Sequence, residues 1–524
     1  MVDLNTVSLS LIFLSILISI LFLSSSKSHQ PNTAPCPQSY PLIGNLPGFL
    51  LNRHRFHDWV AEMLSQTPSS TLRVSTFLNL SNGVCTANPL NVQHLLLSNF
   101  PNYVKSSRYQ ENLGELLGNG IFNVDGDLWT LQRKVASHEF NTRSLKNFIS
   151  ETVEFEISDR LIPILSCACD ENRSIDLQLV LQKFGFDNIC NVAFGVDPES
   201  LNSNRIDRSI VDLSFVEAFD SAVEICSSRL MSPLPLVWKT KRFLNIGSEK
   251  RFKEALQVIN GFAMEIINSK EEQIQIENQD LLSRFISSCS NLEFEDQEQK
   301  RKFLRDIVIS FILAGRDSTS TALTWFFWLI SGHPRCANLI QKELSEARRT
   351  REPPLGENFG YDELKKLHYL QAAISESMRL FPPVPINSRL AMADDVWPDG
   401  TQVGKGWFAD YSAYAMGRME KIWGHDCLEY KPERWLNGDD KNLNFQPFDQ
   451  FTFPVFHCGP RVCLGKEMAY VQMKSVVAAV MAEFEIVAVD GGASPEKMKN
   501  PPYVLSLLLK MRGGLLVRLK RRQQ

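Results

Sequence analysis

The chain has 524 residues, three to four times a typical domain of about 150, so it forms several domains or one large enzyme fold. Apolar residues make up 44% of it and charged residues 22%, which excludes a disordered chain, a collagen-like fibre and a multi-span membrane protein. The net charge of -4 supplies no overall positive field, so we expect no nucleic-acid partner. Eleven thinly spread cysteines indicate a reducing compartment rather than a disulfide scaffold.

The first 26 residues predict a membrane anchor. Residues 7–23 are Leu, Ile, Val and Phe diluted only by four serines. This run falls within the range of a spanning helix, about 17 to 25 residues, and exceeds the usual signal-peptide core of about 7 to 15. Basic residues such as Lys27 and Arg53 follow the run, which favours a cytosolic location for the rest of the chain. We therefore expect a retained single-pass anchor, with a cleaved signal peptide as the alternative.

A proline-rich hinge follows at residues 27–45. Four prolines between residues 31 and 41 forbid a helix and favour an extended, polyproline-like spacer. The compact body is expected over residues 46–524.

The body reads as mainly α with small β regions. Amphipathic periodicity predicts helices over residues 55–65, 144–166, 248–276, 301–330 and 361–381. The best predicted strands are residues 72–77, 84–87 and the terminal run 503–519, turned at Gly513-Gly514. The chain shows no repeat of 20 to 50 residues, which excludes solenoids and propellers.

Residues 453–470 are the segment richest in chemistry. Gly459 and Gly465 flank Cys463, Arg461 lies between them, and a helical pattern begins directly after the cysteine. A helix start stabilises negative charge, so we expect the thiolate of Cys463 to be favoured even before a metal binds. The two glycines would permit the close backbone approach that a large flat cofactor needs.

Two alternatives apply to these cysteines. Cys463 could be an ordinary buried core cysteine. It could also bind a metal together with His457 and Cys458, but this pattern lacks the second ligand pair that zinc ribbons and iron–sulfur loops require.

The pattern Phe456-x-x-Gly459-x-Arg461-x-Cys463-x-Gly465 resembles the haem-binding loop of the cytochrome P-450 superfamily at every fixed position. The resemblance implies the cytochrome P-450 fold and a haem-thiolate monooxygenase domain over residues 46–524. It also implies haem b, with Cys463 as the axial iron ligand and Phe456, Gly459, Arg461 and Gly465 as residues around the haem.

A long apolar stretch, residues 303–330, is interrupted at its centre by six residues from Gly315 onward, five of them polar. A second membrane helix is therefore improbable, and a buried helix beside a site is expected. Ser318 can donate a hydrogen bond to the carbonyl of Ala314 and loosen the helix. The resemblance implies that Asp317 and Ser318 are the acid and alcohol that deliver protons during oxygen activation, although threonine is commoner at the second position. A kinked core helix is the alternative.

Two further patterns gain meaning from the resemblance. Glu376 and Arg379 lie three apart on a helix ended by prolines, and with Arg434 they correspond to the superfamily's structural ionic triad. Alone, such a pair usually lies on the surface. Trp129 and Arg133 lie one turn apart and would donate to a haem propionate. Without the cysteine loop they would indicate only the edge of an amphipathic helix.

A thiolate ligand favours cleavage of the O–O bond, so the implied reaction is monooxygenation of a lipophilic substrate with O2. The sequence contains no Gly-x-Gly-x-x-Gly and no flavin segment, so electrons are expected from a separate NADPH-dependent flavoprotein reductase. Lys466 and Lys474 could contact that reductase or simply be solvated. The expected location is the endoplasmic reticulum membrane, with the catalytic domain in the cytosol.

The substrate is suggested by runs that look like plant fatty-acid ω-hydroxylases, at residues 52–56, 120–126, 137–140, 313–317 and 415–424. The implied reaction is hydroxylation of the terminal carbon of a fatty acid. The alternatives are C-26/27 side-chain hydroxylation of a sterol or steroid in plant saponin or alkaloid pathways, or oxidation of a jasmonoyl-amino acid. The expected channel residues are Tyr109, Leu116, Phe122, Phe311, Ala314, Val384, Ile386 and Leu505.

Two other functions remain open at this point. One is a haem-thiolate isomerase or dehydratase that acts on peroxides without a reductase; retention of Asp317 and Ser318 argues against it. The other is a haem or lipid binder without catalytic activity.

Overall fold

The structure is a computed structural model. It describes residues 35–40, 42–76, 82–201, 213–232, 234–273, 280–289, 294–349, 358–438, 443–489 and 501–522. The anchor expected at residues 1–26, and residues 27–34 and 41 of the hinge, lie outside these residues. Within the described ranges no helix combines the length and the apolar character needed to cross a bilayer.

Helices dominate the molecule, as the sequence predicts. Their bounds are Leu46–Asn52 (α1), Phe56–Gln66 (α2), Pro89–Gln93 (α3), Ser106–Leu117 (α4), Gly126–Ser137 (α5), Thr142–Asn147 (α6), Ile162–Asp170 (α7), Leu177–Phe194 (α8), Leu213–Leu230 (α9), Pro235–Leu244 (α10), Gly247–Gln273 (α11), Leu281–Ser288 (α12), Gln297–Ile312 (α13), Ser318–Ser331 (α14), Pro334–Arg349 (α15), Tyr361–Leu364 (α16), His368–Leu380 (α17), Ala413–Met416 (α18), Glu420–Trp423 (α19) and Lys466–Glu483 (α20).

The predicted helices are present in the described ranges, which leave out residues 274–276, and three of them are divided, one being the 301–330 helix, which comprises α13 and α14 with a wide turn at Leu313–Asp317. The helix predicted over residues 144–166 comprises α6 and α7 with wide helical turns at Phe148–Val153 and Glu156–Leu161 between them. The helix predicted over residues 361–381 comprises α16 and α17. Periodicity locates the buried face of such segments but does not show where the backbone widens or pauses.

The strands are short and lie in small sheets. Their bounds are Thr71–Val74 (β1), Gly83–Thr86 (β2), Tyr103–Val104 (β3), Ile175–Asp176 (β4), Asn387–Ala391 (β5), Asp395–Val396 (β6), Gln402–Val403 (β7), Phe408–Tyr411 (β8), Leu436–Asn437 (β9), Asn444–Phe445 (β10), Phe484–Ala488 (β11) and Leu516–Arg521 (β12). The largest sheet has the order β1-β2-β8-β5-β3, with β2 and β8 parallel, and a second has the order β11-β12-β4.

The terminal run 503–519 differs from the predicted strand. Only its last part belongs to β12, while Tyr503 pairs with Met511 through an isolated bridge. The turn at Gly513 and Gly514 is present, with φ of 84° and 78°. Because β12 pairs with the distant strand β11 rather than with the residues before its own turn, the local pattern could not show its partner.

The α13–α14 run crosses the middle of the molecule as the expected buried helix. Its turns widen over Leu313–Asp317, and the hydroxyl of Ser318 donates to the carbonyl of Ala314 at 2.6 Å, which confirms the predicted back-bond. Helix α8 packs so closely here that a Cβ at Gly315 would lie 2.5 Å from Cγ1 of Ile189. The widened turn is therefore fixed by a close helix contact.

The core is built around α14. The Trp325 ring is fully buried and stacks on Phe381 with 4.3 Å between ring centroids, while its Nε1 donates to the carbonyl of Leu509 at 2.6 Å. Burial of one such aromatic side chain stabilises the fold by about 1.5–3 kcal/mol. The C-terminal segment is thereby attached to the central helix.

The described end of the hinge packs against β1. The side chain of Asn45 donates to the carbonyls of Pro37 and Gln38 at 2.9 and 3.1 Å, and it accepts from the backbone N–H of Ser75 at 2.7 Å. The chain is thus held to the sheet immediately before α1 begins.

One buried charge cluster joins α8 to the turn before α7. Arg160 contacts both Glu156 and Asp197 at 2.5 Å, and Asp187 lies 3.8 Å away. Burial raises the pKa of Glu156 to about 8, and repulsion from Asp187 adds to this effect. The pKa of Arg160 is also raised, chiefly through its hydrogen bond to Asp197. One guanidinium thus faces three carboxyl groups, so Glu156 stays protonated at neutral pH.

We expect Glu156→Gln to be increasingly stabilising as pH rises. The unfolded carboxyl ionises near pH 4.5 and the folded one near pH 8, so wild-type stability falls between those values. The variant has no such loss, so above pH 8 it should be more stable than the wild type by about 4–5 kcal/mol, whereas near pH 4.5 the two should unfold at the same denaturant concentration. Denaturant titrations at both pH values measure this, with exposed Glu151→Gln as control. A difference in stability between Glu156→Gln and the wild type that does not vary with pH would contradict this expectation.

Candidate active site

A cavity of about 620 Å³ lies between the α13–α14 run, β5 and the loop before α20. The Cys463 thiol forms part of its wall, as do Phe456 and Gly465. The loop is closed by a hydrogen bond of 2.8 Å from the backbone N–H of Cys463 to the carbonyl of Phe456. The thiol is accessible from the cavity and surrounded by protein on its other sides.

The expectation that the thiolate of Cys463 is favoured before a metal binds is wrong. Burial raises the pKa of the Cys463 thiol, and the N–H of Gly465 together with Arg133 and Lys466 only partly opposes that shift. Helix α20 begins three residues further on, at Lys466. Desolvation therefore outweighs the helix start, and the sulfur is ready to ionise only when a cation is supplied.

The alternative metal site is not assembled by its other two residues. The thiol of Cys458 donates to the carbonyl of Gln450 at 2.9 Å, and Nε2 of His457 lies 2.6 Å from Nη2 of Arg389. Within the described ranges no group of three or more His, Cys, Asp or Glu side chains could hold a metal ion.

Gly459 has a φ of 62°, and an added Cβ would lie 2.2 Å from the carbonyl oxygen of Leu96. The backbone of another segment therefore approaches too closely here for any residue but glycine. At Gly465 an added Cβ would lie 4.0 Å from the sulfur of Cys463, so this glycine borders the site directly.

The predicted propionate donors lie together beside Cys463. Trp129, Arg133 and Arg461 all border the cavity. The Arg461 guanidinium lies 4.5 Å from the centre of the Trp129 ring, and Arg133 donates to the carbonyl of Val462 at 2.8 Å. Arg461 also pairs with Asp125 at 2.6 Å.

Two further cations lie at this site that the sequence did not indicate, Arg389 on β5 and Lys105 before α4. Both are buried and border the cavity, and no described residue accepts a hydrogen bond from Nε of Arg389. Burial lowers the pKa of Lys105 well below its usual value, and repulsion from Arg389 and Arg461 adds to it. Burial likewise lowers the pKa of Arg461 to about 10. A lone basic residue in a short strand carries no signal of such clustering.

These side chains fit a haem. Four buried or half-buried cations face one cavity and only Arg461 pairs with the nearby acid Asp125, so the site favours an anionic ligand group such as a pair of carboxylates. Cys463 would be the iron ligand, and Arg133, Arg389 and Arg461 would hold the propionates. When bound, the haem supplies the activation of O2.

Asp317 and Ser318, the acid and the alcohol of the widened turn, lie in different positions relative to the cavity. Ser318 borders the cavity. Asp317 is fully buried and is not part of the cavity wall; its Oδ1 lies 3.3 Å from both Nη1 of Arg316 and Nζ of Lys510. The structure therefore brings the hydroxyl to the cavity and places the carboxylate in an ion cluster behind it.

Most of the expected channel residues border the cavity, but two do not. Those on the wall are Tyr109, Phe122, Phe311, Ala314, Val384 and Ile386. Leu116 is instead fully buried in the helix core, while Leu113 and Leu117 of the same helix face the cavity. Leu505 lies off the wall, which Ser506, Leu507 and Leu508 form. Neighbouring residues of a helix or loop point in different directions, so an error of one residue in the assumed helix face or loop register predicts a wall residue where the structure has a core residue.

Glu376, Arg379 and Arg434 form a buried ionic triad. Arg379 donates to both carboxylate oxygens of Glu376 at 2.7 and 2.8 Å, and Arg434 donates to one of them at 3.0 Å. The indole N–H of Trp435 donates to the same carboxylate at 2.9 Å. Glu376, Arg379 and Trp435 are fully buried and Arg434 nearly so, which gives the cluster a structural character.

The two lysines considered for reductase contact differ in their exposure to solvent. Lys466 is exposed. Lys474 is buried, donates to the carbonyl of Leu364 at 2.8 Å and has its pKa lowered to about 8 by burial, so it cannot serve as a surface contact.

A helical fold with this cysteine loop and cationic cavity defines a haem-thiolate enzyme. The family model of Cytochrome P450 matches residues 34–516, and the chain belongs to this family. It is a cytochrome P450 monooxygenase whose haem has an axial cysteine thiolate and whose electrons come from a reductase.

Three relatives match almost the whole chain. Cytochrome P450 94A2 of Vicia sativa is 43% identical over 99% of both chains. Cytochrome P450 94A1 of Vicia sativa is 45% identical over 94% of this chain and 91% of its own, and Cytochrome P450 94B3 of Arabidopsis thaliana is 43% identical over 98% of both.

Glu376→Ala should be strongly destabilising. It leaves the buried guanidinium of Arg379 without its carboxylate and removes one of the two carboxylates that pair with Arg434, which costs about 3–5 kcal/mol. Denaturant unfolding and the haem content of the purified protein measure the loss. Glu420→Ala, which removes an exposed carboxylate near the same segment, is the matched control. Equal stability of the two variants would show that the triad does not hold the fold.

Proposed function

We propose that this monooxygenase hydroxylates the terminal carbon of a fatty acid. The observation that carries the proposal is the cavity that extends from the Cys463 thiol along apolar side chains of the α13–α14 run and of the segment just before β5. The resemblance of several sequence runs to plant fatty-acid ω-hydroxylases supports the same substrate class.

The wall explains how a chain end could be selected. Terminal C–H bonds are the strongest in an alkyl chain, so an enzyme oxidises them only by holding the end in place. Phe311 and Ala314 lie on one helix face, and Val384 and Ile386 border the same cavity. These side chains offer no hydrogen bonds and select by shape.

The residues of the widened turn have separate tasks in this proposal. Ser318 passes protons at the cavity wall through its hydroxyl, which lies next to the loosened turn. Asp317 supplies protons from behind the wall. Because serine has a less restricted χ1 than threonine, the fit of the substrate matters more for keeping this hydroxyl in place.

The cellular setting follows from the N-terminal sequence. We propose that residues 1–26 anchor the protein in the endoplasmic reticulum membrane, that residues 27–45 are a hinge and that residues 46–524 form the cytosolic catalytic domain. Electrons then reach the thiolate side of the haem from a membrane-bound flavoprotein reductase supplied with NADPH.

Turnover with a substrate panel tests the proposal. Microsomes that contain the full chain and a reductase are incubated with NADPH and, separately, palmitic acid, a 22-hydroxylated cholesterol and a jasmonoyl-isoleucine conjugate. We expect terminally hydroxylated palmitic acid from the wild type. Asp317→Ala should retain haem but lose product by about 100-fold or more, as for removal of a general acid.

Each outcome of this panel decides between functions. Product from the sterol alone would assign the enzyme to steroid side chains, and product from the conjugate alone to jasmonates. Activity with a hydroperoxide but none with NADPH would identify an isomerase or dehydratase. Ligand binding without any product would identify a binder.

Phe311→Ala should shift oxidation from the terminal carbon toward interior carbons. It widens the cavity and lets the chain end move, whereas Leu116→Ala removes a similar amount of core from α4 without opening the wall. Both should lose about 2–5 kcal/mol of stability. The ratio of terminal to interior alcohols, measured by mass spectrometry, should change only in Phe311→Ala. An equal change in both would mean that regiochemistry follows general loosening.

A further inference from the structure

The buried carboxylate of Asp317 belongs to a cluster of four charges. Arg316 contacts Asp220 of α9 through Nη1 and Nη2, at 2.8 and 3.1 Å. Nζ of Lys510 lies 3.0 Å from Oδ1 of Asp220 and 3.3 Å from Oδ1 of Asp317. Two cations are therefore shared between an outer acid, Asp220, and an inner acid, Asp317.

The two acids are held unequally. Asp220 is about one-third exposed and accepts hydrogen bonds from both cations. Asp317 is fully buried, and no described residue donates a hydrogen bond to either of its oxygens. The contacts of Asp317 with Arg316 and Lys510 are thus ionic and weakly directed, so they can be given up more easily than those of Asp220.

Lys510 is the cation that can move. Arg316 is fully buried within the widened turn of the central helix. Lys510 is partly exposed and reaches the cluster on a flexible stem from the C-terminal segment. If Lys510 leaves Asp317, it keeps its hydrogen bond to Asp220, so the charge does not become unpaired.

The segment that carries Lys510 also forms the cavity wall. Leu507 and Leu508, close before it, border the cavity. The N–H of Leu507 donates to the Ser227 hydroxyl of α9 at 3.0 Å, and the carbonyl of Leu509 accepts from Trp325 of α14. A substrate that presses on this wall therefore acts on the same short segment that positions Lys510.

We propose that Lys510 is a positioning residue that holds the Asp317 carboxylate away from the cavity until substrate fills the wall at Leu507 and Leu508. Asp220 is the partner that retains Lys510 when Asp317 turns toward Ser318. The proposal rests on the proton-delivery role of Asp317 in the proposed function.

The position of Lys510 would affect how many of the electrons supplied by NADPH are used to form product. Each productive turnover consumes O2, two electrons and two protons and gives one alcohol group and one water. When the cycle fails, the same two electrons and two protons leave with O2 as hydrogen peroxide. Mistimed proton delivery therefore lowers the product formed per NADPH.

Lys510→Met is the principal variant, tested in microsomes with reductase and palmitic acid. We expect NADPH oxidation without palmitic acid to rise, and product per NADPH to fall, by about fivefold or more, the usual lower range of coupling between sites. Lys510→Arg should restore both to within about twofold of wild type, because it keeps the charge. Lys342→Met, at an exposed lysine of α15, is the matched control and should behave as wild type.

Asp220→Asn should hold Asp317 more tightly, whereas Lys510→Met should release it. Without the outer acid both cations pair with Asp317, so kcat should fall by about fivefold while KM for palmitic acid stays constant. The two variants thus move different quantities, which a general loss of structure would not do. If Lys510→Met is recovered without haem, the Lys510→Arg and Asp220→Asn results decide the question.

Amide hydrogen exchange supplies a measurement independent of turnover. In the wild type we expect palmitic acid to change exchange both at residues 506–508 and at residues 313–318. In Lys510→Met the first change should persist and the second should be lost. A change at both segments in the variant, together with wild-type product per NADPH, would overturn the role of Lys510.

Asp317→Ala separates this inference from the proposed function. If that variant makes product as efficiently as the wild type, the proton-delivery role is wrong and Lys510 has nothing to regulate. If Asp317→Ala loses product while Lys510→Met couples normally, the role of Lys510 alone is wrong.

Discussion

The Glu376 carboxylate connects the helix core to the loop that presents the thiol. Arg379, held by this carboxylate, donates to the carbonyls of Cys427 and Glu429 at 2.6 and 2.9 Å. Trp435, bonded to the same carboxylate, packs on Phe453 with 4.7 Å between ring centroids. The cysteine loop begins at this residue, so its position depends on a charge cluster that excludes water. Buried ion pairs contribute little net stability but are costly to break, which suits a fixed support.

The cavity wall beside the loop carries an excess of positive charge, unlike the cluster around Glu376. Glu376 lies among balanced charges, whereas Lys105 and Arg461 lie beside Arg389, and burial followed by repulsion from Arg389 lowers the pKa of both. Such an excess of positive charge is unfavourable unless an anionic group completes it. The fold thus accepts an electrostatic cost at the site that a bound haem with two carboxylates offsets.

The sequence could predict what is local. The Cys463 loop, the Ser318 back-bond and the Glu376–Arg379 spacing each depend on residues a few positions apart, and each lies where the chain indicated. Arg389 was not found because its role comes from a fold that joins β5 to the cysteine loop. The thiolate of Cys463 was predicted from a helix start, but burial, which a sequence does not display, decides the direction of its pKa. Lys474 was misread for the same reason.

The same limit explains why substrate identity is harder to predict than chemistry. The reaction is set by a few polar groups whose spacing the chain encodes, while the substrate is selected by apolar side chains from distant segments. Leu113 and Leu117 face the cavity and Leu116 does not, although all three share one helix. Which of them faces the cavity is fixed by the packing of α4 against its neighbours, and no motif records it.

Burial of the Cys463 sulfur links haem binding to the electrostatics of the loop. Burial raises the pKa of the Cys463 thiol, so the iron of a haem held here would supply the positive charge that favours loss of its proton. A neutral thiol costs less to bury beside Phe456 than a thiolate would, which lets the loop adopt its closed form, with the N–H of Cys463 bonded to the carbonyl of Phe456, at little electrostatic cost. Arg133 and Lys466 lower the pKa only in part, which leaves the larger share of the charge stabilisation to the metal. The cation needed to ionise this sulfur would thus come with the haem rather than from the protein.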